Sequence, residues 1–367
     1  MTGRAKSLLG ICGAVLIAVG FIEVAGSLAL KAKYPPTKQD IPLVPGQYVP
    51  LVETGKVVPP LMHGEYVNIL FNAGAREPSM YAPGEMVNEP LNADYLALKD
   101  FRIENYPSGK ISQYVSEVQV FSPFTNAMHN ASISVNHPLV WRDWWIYQMS
   151  YDPSVEKRTI LMAVRDQWLP LAAAGGVFLV LGALLFGLTS FLPARKRGTA
   201  CECMASGDAS SPDMAAKCGC GGIICGVLAV SVPIFIIGRS MMRPDPMPAL
   251  RSPLMAPHVA SYAASYVVLL FATFGVGKRW MPFGWFLMTL GLALGALWGK
   301  ICWGDFWQYD PKEMWSLATW SVYAAYFAFR RFRVPEIVLR YAGGVSIILT
   351  LTWVNFSKLF TGLHSYA

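Results

Sequence analysis

Seven apolar runs of about 17 to 25 residues, each bounded by charge, proline or glycine, leave this chain few ways to fold other than across a lipid bilayer. They fall at roughly 8–30, 168–192, 220–238, 258–277, 282–302, 315–331 and 338–357. Inside hydrocarbon every backbone N–H and C=O must be satisfied within the segment, so each run is expected to be a helix. The composition agrees: 54% hydrophobic residues, 14% charged and a mean hydropathy of +0.37 over 367 residues are too apolar for soluble domains alone. The formal charge of +7 is scattered in short clusters between the runs. That pattern argues against a nucleic-acid partner and for loops that set topology.

Arg4 and Lys6 precede the first run, Arg195, Lys196 and Arg197 follow the second, Lys278 and Arg279 the fourth, and Arg330, Arg331 and Arg333 the sixth. By the positive-inside rule these ends are cytoplasmic. The expected fold is therefore an α-helical polytopic membrane protein of about seven transmembrane helices, with an extracytoplasmic, mainly-β domain between helices 1 and 2. Its parts are an N-terminal helix over 1–30, the outer domain over 31–167, a helix over 168–192, a cytoplasmic cysteine-containing loop over 193–219 and a second membrane unit over 220–367. Arg239, Arg243, Arg251, Lys300, Lys312 and Lys358 lie on the outer side against the rule and require another explanation. The basic start and long apolar core of the first run also fit a cleaved signal peptide. Its length, the interruption by Glu23 and the lack of a small-x-small site favour a span. Glu23 itself has two readings, a functional intramembrane carboxylate or a protonated or interface-level side chain.

In 31–167 a Pro-rich stretch gives way to strand patterns. Ile111, Gln113, Val115 and Glu117 alternate with other residue types, and Trp145, Tyr147, Met149 and Tyr151 are expected on one face against Ile146, Gln148 and Ser150. His63, His129 and His137 lack metal-ligand spacing. Seven cysteines, none of them in 31–167, make no disulfide scaffold. Cys201, Cys203, Cys218 and Cys220 sit in the inner loop, either as a soft-metal site or as reduced thiols without a ligand.

The chemistry concentrates in Trp303-Gly-Asp-Phe-Trp307-Gln-Tyr309-Asp310-Pro311-Lys312-Glu313-Met-Trp315. Asp310, Pro311 and Glu313 read as N-cap, first helical position and capping-box partner of the sixth helix. Capping does not account for Trp303, Trp307, Tyr309 and Trp315 in so short a stretch. An aromatic belt spreads rings over all helix ends, whereas a cluster at one end suits a large, flat, apolar ligand. His258 follows Pro257 at the start of the fourth run and His364 lies beyond the seventh, both on the loop's side. A planar ligand, an aromatic floor and two axial imidazoles describe a haem site. The helix N-termini at Pro257 and Pro311, with Arg251, Lys312 or Lys358, suit the haem propionates.

The segment WGDFWQYDPKEMW resembles the tryptophan-rich signature of the CcsA/ResC haem-handling family of system II cytochrome c biogenesis. LRSPLMAPHVASYAASY, with His258, and GLHSY, with His364, are similar to that family's two flanking-histidine segments, in the same order. Upstream, ISVNHPLVWRDWWIYQMSYD is similar to part of the outer domain of ResB. The chain thus resembles a compact fusion of a ResB-like half to a CcsA-like half. It departs from the fused family in having fewer spans, no histidine inside a span, and Tyr309 where a tryptophan is common.

The resemblance implies a function in cytochrome c biogenesis at a bacterial-type inner (plasma) membrane. Haem b, held outside by His258 and His364 against Trp303, Trp307, Tyr309 and Trp315, would be presented to the Cys-x-x-Cys-His site of an apocytochrome c. Asp310 and Glu313 would hold the loop, and a thiol-reducing partner is implied. Two rival readings stand beside this one: a haem carrier or transporter feeding a separate ligase, and a b-type electron-transfer subunit. The second of these normally places bis-histidine pairs at mid-membrane depth, and none is present here.

Overall fold

The computed structural model describes residues 2–51, 61–62, 80–82, 85–87, 94–122, 127–192, 245–274, 277–330 and 332–356. Among the described residues six α-helices stand out: α1 (Thr2–Lys33), α2 (Leu169–Leu188), α3 (Met255–Thr273), α4 (Met281–Trp303), α5 (Pro311–Phe329) and α6 (Arg333–Phe356). Five of the described helices, all except α5, are long and apolar enough to cross a membrane. The sixth apolar run does form a helix, α5, but Trp, Tyr, Ser and Thr lower its hydropathy. Its Trp320, Tyr323 and Tyr326 are buried in the bundle core with Trp285 of α4 and Leu269 of α3. The third run, 220–238, and the cysteine loop lie outside the described residues. The architecture is a polytopic helical membrane protein with a β domain between its first two helices.

Local chemistry sets the helix ends. Pro35 and Pro36 stop α1, Pro170 opens α2, and Gly304, in the left-handed region at φ 87°, closes α4. Between α1 and α2 the contact is backbone to backbone. A Cβ at Gly20 would lie 2.6 Å from the Gly175 carbonyl oxygen, and one at Gly182 would lie 2.7 Å from the Ile17 nitrogen. Gly13 meets Gly182 in the same way, so two glycines spaced by seven on each helix form the seam. Glu23 packs here too, its Cβ against Gly175, and its Oε2 is buried with no hydrogen-bond partner among the described residues. Gly182→Leu is expected to destabilise the detergent-solubilised chain by about 1–3 kcal/mol through overpacking. A Cβ at Gly176 meets nothing within 4 Å, so Gly176→Leu should leave the thermal midpoint unchanged.

The β domain packs two antiparallel sheets over one core. The first, of order β1-β11-β10-β9, joins Thr37–Leu43, Arg158–Arg165, Trp144–Asp152 and Leu139–Trp141. The second, of order β3-β2-β6-β7-β8, joins Leu61–Met62, Gln47–Pro50, Tyr95–Asn105, Ile111–Ser122 and Ala127–Ser134. A short pair, β4 (Met80–Ala82) and β5 (Glu85–Val87), stands apart. Ile41, Ile146, Leu161 and Ala163 of the first sheet face Leu96, Val118, Val120 and Ile133 of the second, all essentially buried. Each large apolar side chain so buried contributes roughly 1.5–3 kcal/mol. Ser116, Gln148 and Thr159 cross-link the sheets in a buried hydrogen-bonded trio.

Strand β10 is covered on both faces. Trp144 and Ile146 enter the sandwich core, while Tyr147, Met162 and Val164 form a second buried cluster with Trp145 packed against it. A register shift between Gln148 and Ser150 changes the alternation. Tyr151 consequently packs on the inner core with Phe101 and Tyr114 rather than continuing the face of Trp145 and Tyr147.

Candidate functional site

The outward cluster of β10 and β11 seats the tryptophan-rich loop. Gly304 packs against Met162, Tyr147 and Val164, leaving no room for a Cβ. The Gly304 N–H donates to the Lys300 carbonyl (3.1 Å), and Lys300 Nζ donates to the Gly304 carbonyl (2.9 Å). Lys300 is 2% exposed, with its ammonium 5.3 Å from the Trp145 ring and 5.9 Å from that of Tyr147. Asp305 pairs with Lys38 of β1, Lys31 of α1 pairs with Asp166, and Lys31 also lies over Phe306. Cys302 donates its S–H to Asn136, whose amide donates to the Pro248 carbonyl ahead of α3. Burial, with Asp305 and Asp166 nearby, pushes the Tyr147 phenol far above its usual range.

These contacts place the β domain, the loop and the start of α3 at one end of the bundle. They also give a structural role to two of the cations expected to break the positive-inside pattern, Lys300 and Arg251. Lys300 anchors the β domain. Arg251 donates to the Ser112 carbonyl (3.3 Å) and lies over the Tyr106 ring. At the other end Lys6 donates to the Leu192 carbonyl, and Lys278 and Arg279 sit beside α4.

After Gly304 the loop crosses to α5. Tyr309 takes a positive φ of 58°, and Asp310 caps the helix, its side chain accepting from the Lys312 N–H (2.9 Å). Glu313 completes the expected capping box and reaches further, accepting from the N–H groups of Asp310 (3.3 Å) and Gln308 (2.8 Å). Burial raises the Glu313 carboxyl above its usual range, and these backbone donors pull it back. Burial likewise holds the Lys312 ammonium below the usual lysine range, with Asp310 opposing.

Beneath the loop lies a cavity of about 480 Å³, within the range of organic-ligand sites. Its wall along α3 runs from His258 through Tyr262 and Tyr266 to Leu270, a depth of roughly 18 Å at about 1.5 Å per residue. Leu292, Gly295 and Ala296 of α4, Phe306 and Trp307 of the loop, Lys312, Glu313 and Ser316 of α5, and Thr350 and Leu351 of α6 close it. The His258 Nδ1 lies 2.8 Å from the Gly291 carbonyl oxygen. A carbonyl only accepts, so Nδ1 carries the proton, and in the neutral ring the lone pair is on Nε2. A carbonyl holding one ring nitrogen is the arrangement that orients a metal-binding imidazole.

Of the residues anticipated for the site, His258, Trp307 and Lys312 line this cavity. Trp303 packs on Trp298, with ring centroids 5.0 Å apart. Trp315 lies in the first turns of α5, Tyr309 is 65% exposed, Asp310 is buried as the cap, and Arg251 faces the β domain. His364 and Lys358 lie outside the described residues. His63 does as well, while His129 stacks on Trp141 and His137 bridges to Ser134, both within the β domain. Tyr262 and Tyr266 were not anticipated, although their spacing of four and eight from His258 puts all three on one helical face. Among the described residues no three His, Cys, Asp or Glu side chains are grouped to hold a metal ion.

The fold and site define a polytopic membrane protein whose extramembrane β domain braces an aromatic loop over an imidazole-lined cavity. Residues 7–185 match the ResB-like family, and residues 274–363 match the family of cytochrome C assembly proteins. The chain thus combines a ResB-like segment with a segment similar to cytochrome C assembly proteins, an order consistent with a CcsBA-type fusion. His258 precedes the second matched stretch and His364 follows it directly. Over 92 residues the chain is 42% identical to the cytochrome c biogenesis protein CcsA of Gloeobacter violaceus, covering 24% of this chain and 27% of that protein. It is 44% identical over 87 residues to the protein of the same name from Prochlorococcus marinus strain NATL1A, covering 23% and 27%. The chain spans about a quarter of the length of the curated relatives it matches.

Proposed function

We propose that this protein acts in cytochrome c biogenesis, taking haem b as its substrate in the cavity beneath the tryptophan-rich loop and presenting it to an apocytochrome c. The observation that carries this reading is the His258 imidazole, lining the cavity with its Nδ1 held by the Gly291 carbonyl, on the same helical face as Tyr262 and Tyr266. His258 is assigned as one axial ligand and His364 as the other. Trp307 and Phe306 offer apolar surface to the porphyrin, and Lys312 offers a cation to a propionate. Trp303, Tyr309, Trp315 and Asp310 act by shaping the loop, and Arg251 by tying the start of α3 to the β domain. The lysine and arginine residues at the bundle end away from the β domain favour a cytoplasmic placement there, which puts the site outside a bacterial-type inner membrane.

The reaction assigned to the assembly is addition of each thiol of a Cys-x-x-Cys-His site across a haem vinyl group, with the S–H hydrogen passing to the vinyl carbon. Positioning of the vinyl edge is the main device this site offers. The thiols must arrive reduced, and the cysteine-free segment 31–167 assigns that task to a partner.

The decisive experiment compares the detergent-purified protein with His258→Ala/His364→Ala by absorption spectroscopy. Wild type is expected to carry six-coordinate, low-spin haem that the double variant lacks. A haem-free wild type or an unchanged spectrum in the variant would overturn the assignment. Adding reduced apocytochrome to the haem-loaded chain alone then separates ligase from carrier by whether covalent product forms.

A further inference from the structure

Among the described residues, Glu313 is the only carboxyl that lines the cavity beneath the tryptophan-rich loop. Its capping duty does not require a charge. The bonds from the N–H groups of Gln308 (2.8 Å) and Asp310 (3.3 Å) both fall on Oε2, and an amide oxygen at that point would accept them equally well. A capping box is closed by glutamine as well as by glutamate. An ionisable group here is therefore more than the end of α5 needs.

The surroundings suit a proton carrier. Asp310 and Lys312 flank Glu313 on its own helix, and from α3 the Tyr262 phenol lies close enough to sense its charge. His258 lines the same cavity, while α4 contributes only Leu292, Gly295 and Ala296 to the wall. Burial moves the Glu313 carboxyl up, toward the pH at which a general acid or base works best. The other ionisable groups of the wall are committed or unsuited. His258 has its Nδ1 proton on the Gly291 carbonyl and is assigned to iron through Nε2, and Lys312 is assigned to a propionate. Phenols such as Tyr262 and Tyr266 are weak acids that ionise only at about pH 10.

We propose, on the thioether-forming reading above, that Glu313 is the proton carrier of that reaction, moving the S–H hydrogen of the incoming cysteine to the vinyl group that faces it. The S–H bond breaks and its proton passes to the carboxylate. The sulfur bonds to the inner vinyl carbon, the π bond opens, and the carboxyl returns the proton to the terminal carbon. No electron enters or leaves, and Glu313 ends as the carboxylate it began as.

The test sets Glu313→Gln beside wild type, both purified in detergent, loaded with haem and given a reduced peptide bearing a Cys-x-x-Cys-His site. The amide keeps the cap, so the haem spectrum and the protease pattern of residues 304–310 should match wild type. Thioether product, read by mass spectrometry, should form about a hundredfold more slowly. The fall in rate toward acid pH, followed where the haem spectrum is constant, should vanish in the variant. In the absence of haem and peptide, infrared titration of wild type should show a protonated-carboxyl band that persists above the ordinary glutamate value of about 4.3 and is missing from Glu313→Gln. A variant that reacts at the wild-type rate with an unchanged pH profile, or the lack of such a band, would overturn the assignment of Glu313. Wild type that shows the band but yields no covalent product would instead overturn the ligase reading, and this step with it.

Discussion

Replacing Lys300 with alanine is expected to destabilise the protein by about 3 kcal/mol and to expose residues 304–310 to protease. A hydrogen bond from a charged donor contributes roughly 1.5–3 kcal/mol, and a desolvated cation over aromatic rings about 2 kcal/mol; the two are not additive here because one ammonium makes both. Lys300 does so at 2% exposure, between the Gly304 carbonyl and the Trp145 and Tyr147 rings. The opposing term is the cost of burying a lone cation, which is why Lys300→Met, keeping most of the volume without the charge, should lose less than Lys300→Ala. Denaturant unfolding in detergent measures the first effect and limited proteolysis the second. An alanine variant with an unchanged midpoint and cleavage pattern would show that the β domain and the loop are seated by other contacts.

The second large effect is predicted for Gly295→Val. A Cβ at this position would stand 2.6 Å from His258 Cε1 and 2.9 Å from Nδ1, so the imidazole must swing away and the Gly291 hydrogen bond must break. The helix tolerates the change, since valine is no worse a helix former than glycine. Haem retention on purification should therefore fall to the level of His258→Ala, with circular dichroism unaltered. Full haem occupancy in a folded Gly295→Val protein would remove His258 from the ligand set.

These two residues also show where sequence reading succeeds and where it stops. The positions of the six described helices were legible because a bilayer forces apolar length and periodicity into the chain, and the capping box of Asp310 and Glu313 was legible because it is local. Which rings of the loop face the cavity was not. The direction of each side chain depends on the left-handed turns at Gly304 and Tyr309, and only Trp307 of the four anticipated rings ends up lining the cavity. Tyr151 moved to the other face of β10 for a similar reason, since a single bulge reverses an alternation that composition alone would continue. Lys300 resembled a topological exception in the sequence. Its role became visible only when a strand more than 140 residues earlier was placed beside it.

The pairing of β1 with β11 has a consequence for how the protein is made. Thr37 is opposite Arg165, so the first strand of the domain meets its neighbour only after the whole intervening chain has been synthesised. Until then β1 is an open edge just outside the membrane, and closing so long a loop is entropically slow. Helix α2 follows Arg165 by only a few residues. Completion of the sheet therefore delivers α2 beside α1 at the moment their glycine seam can zip, which couples closure of the β domain to formation of the first membrane hairpin.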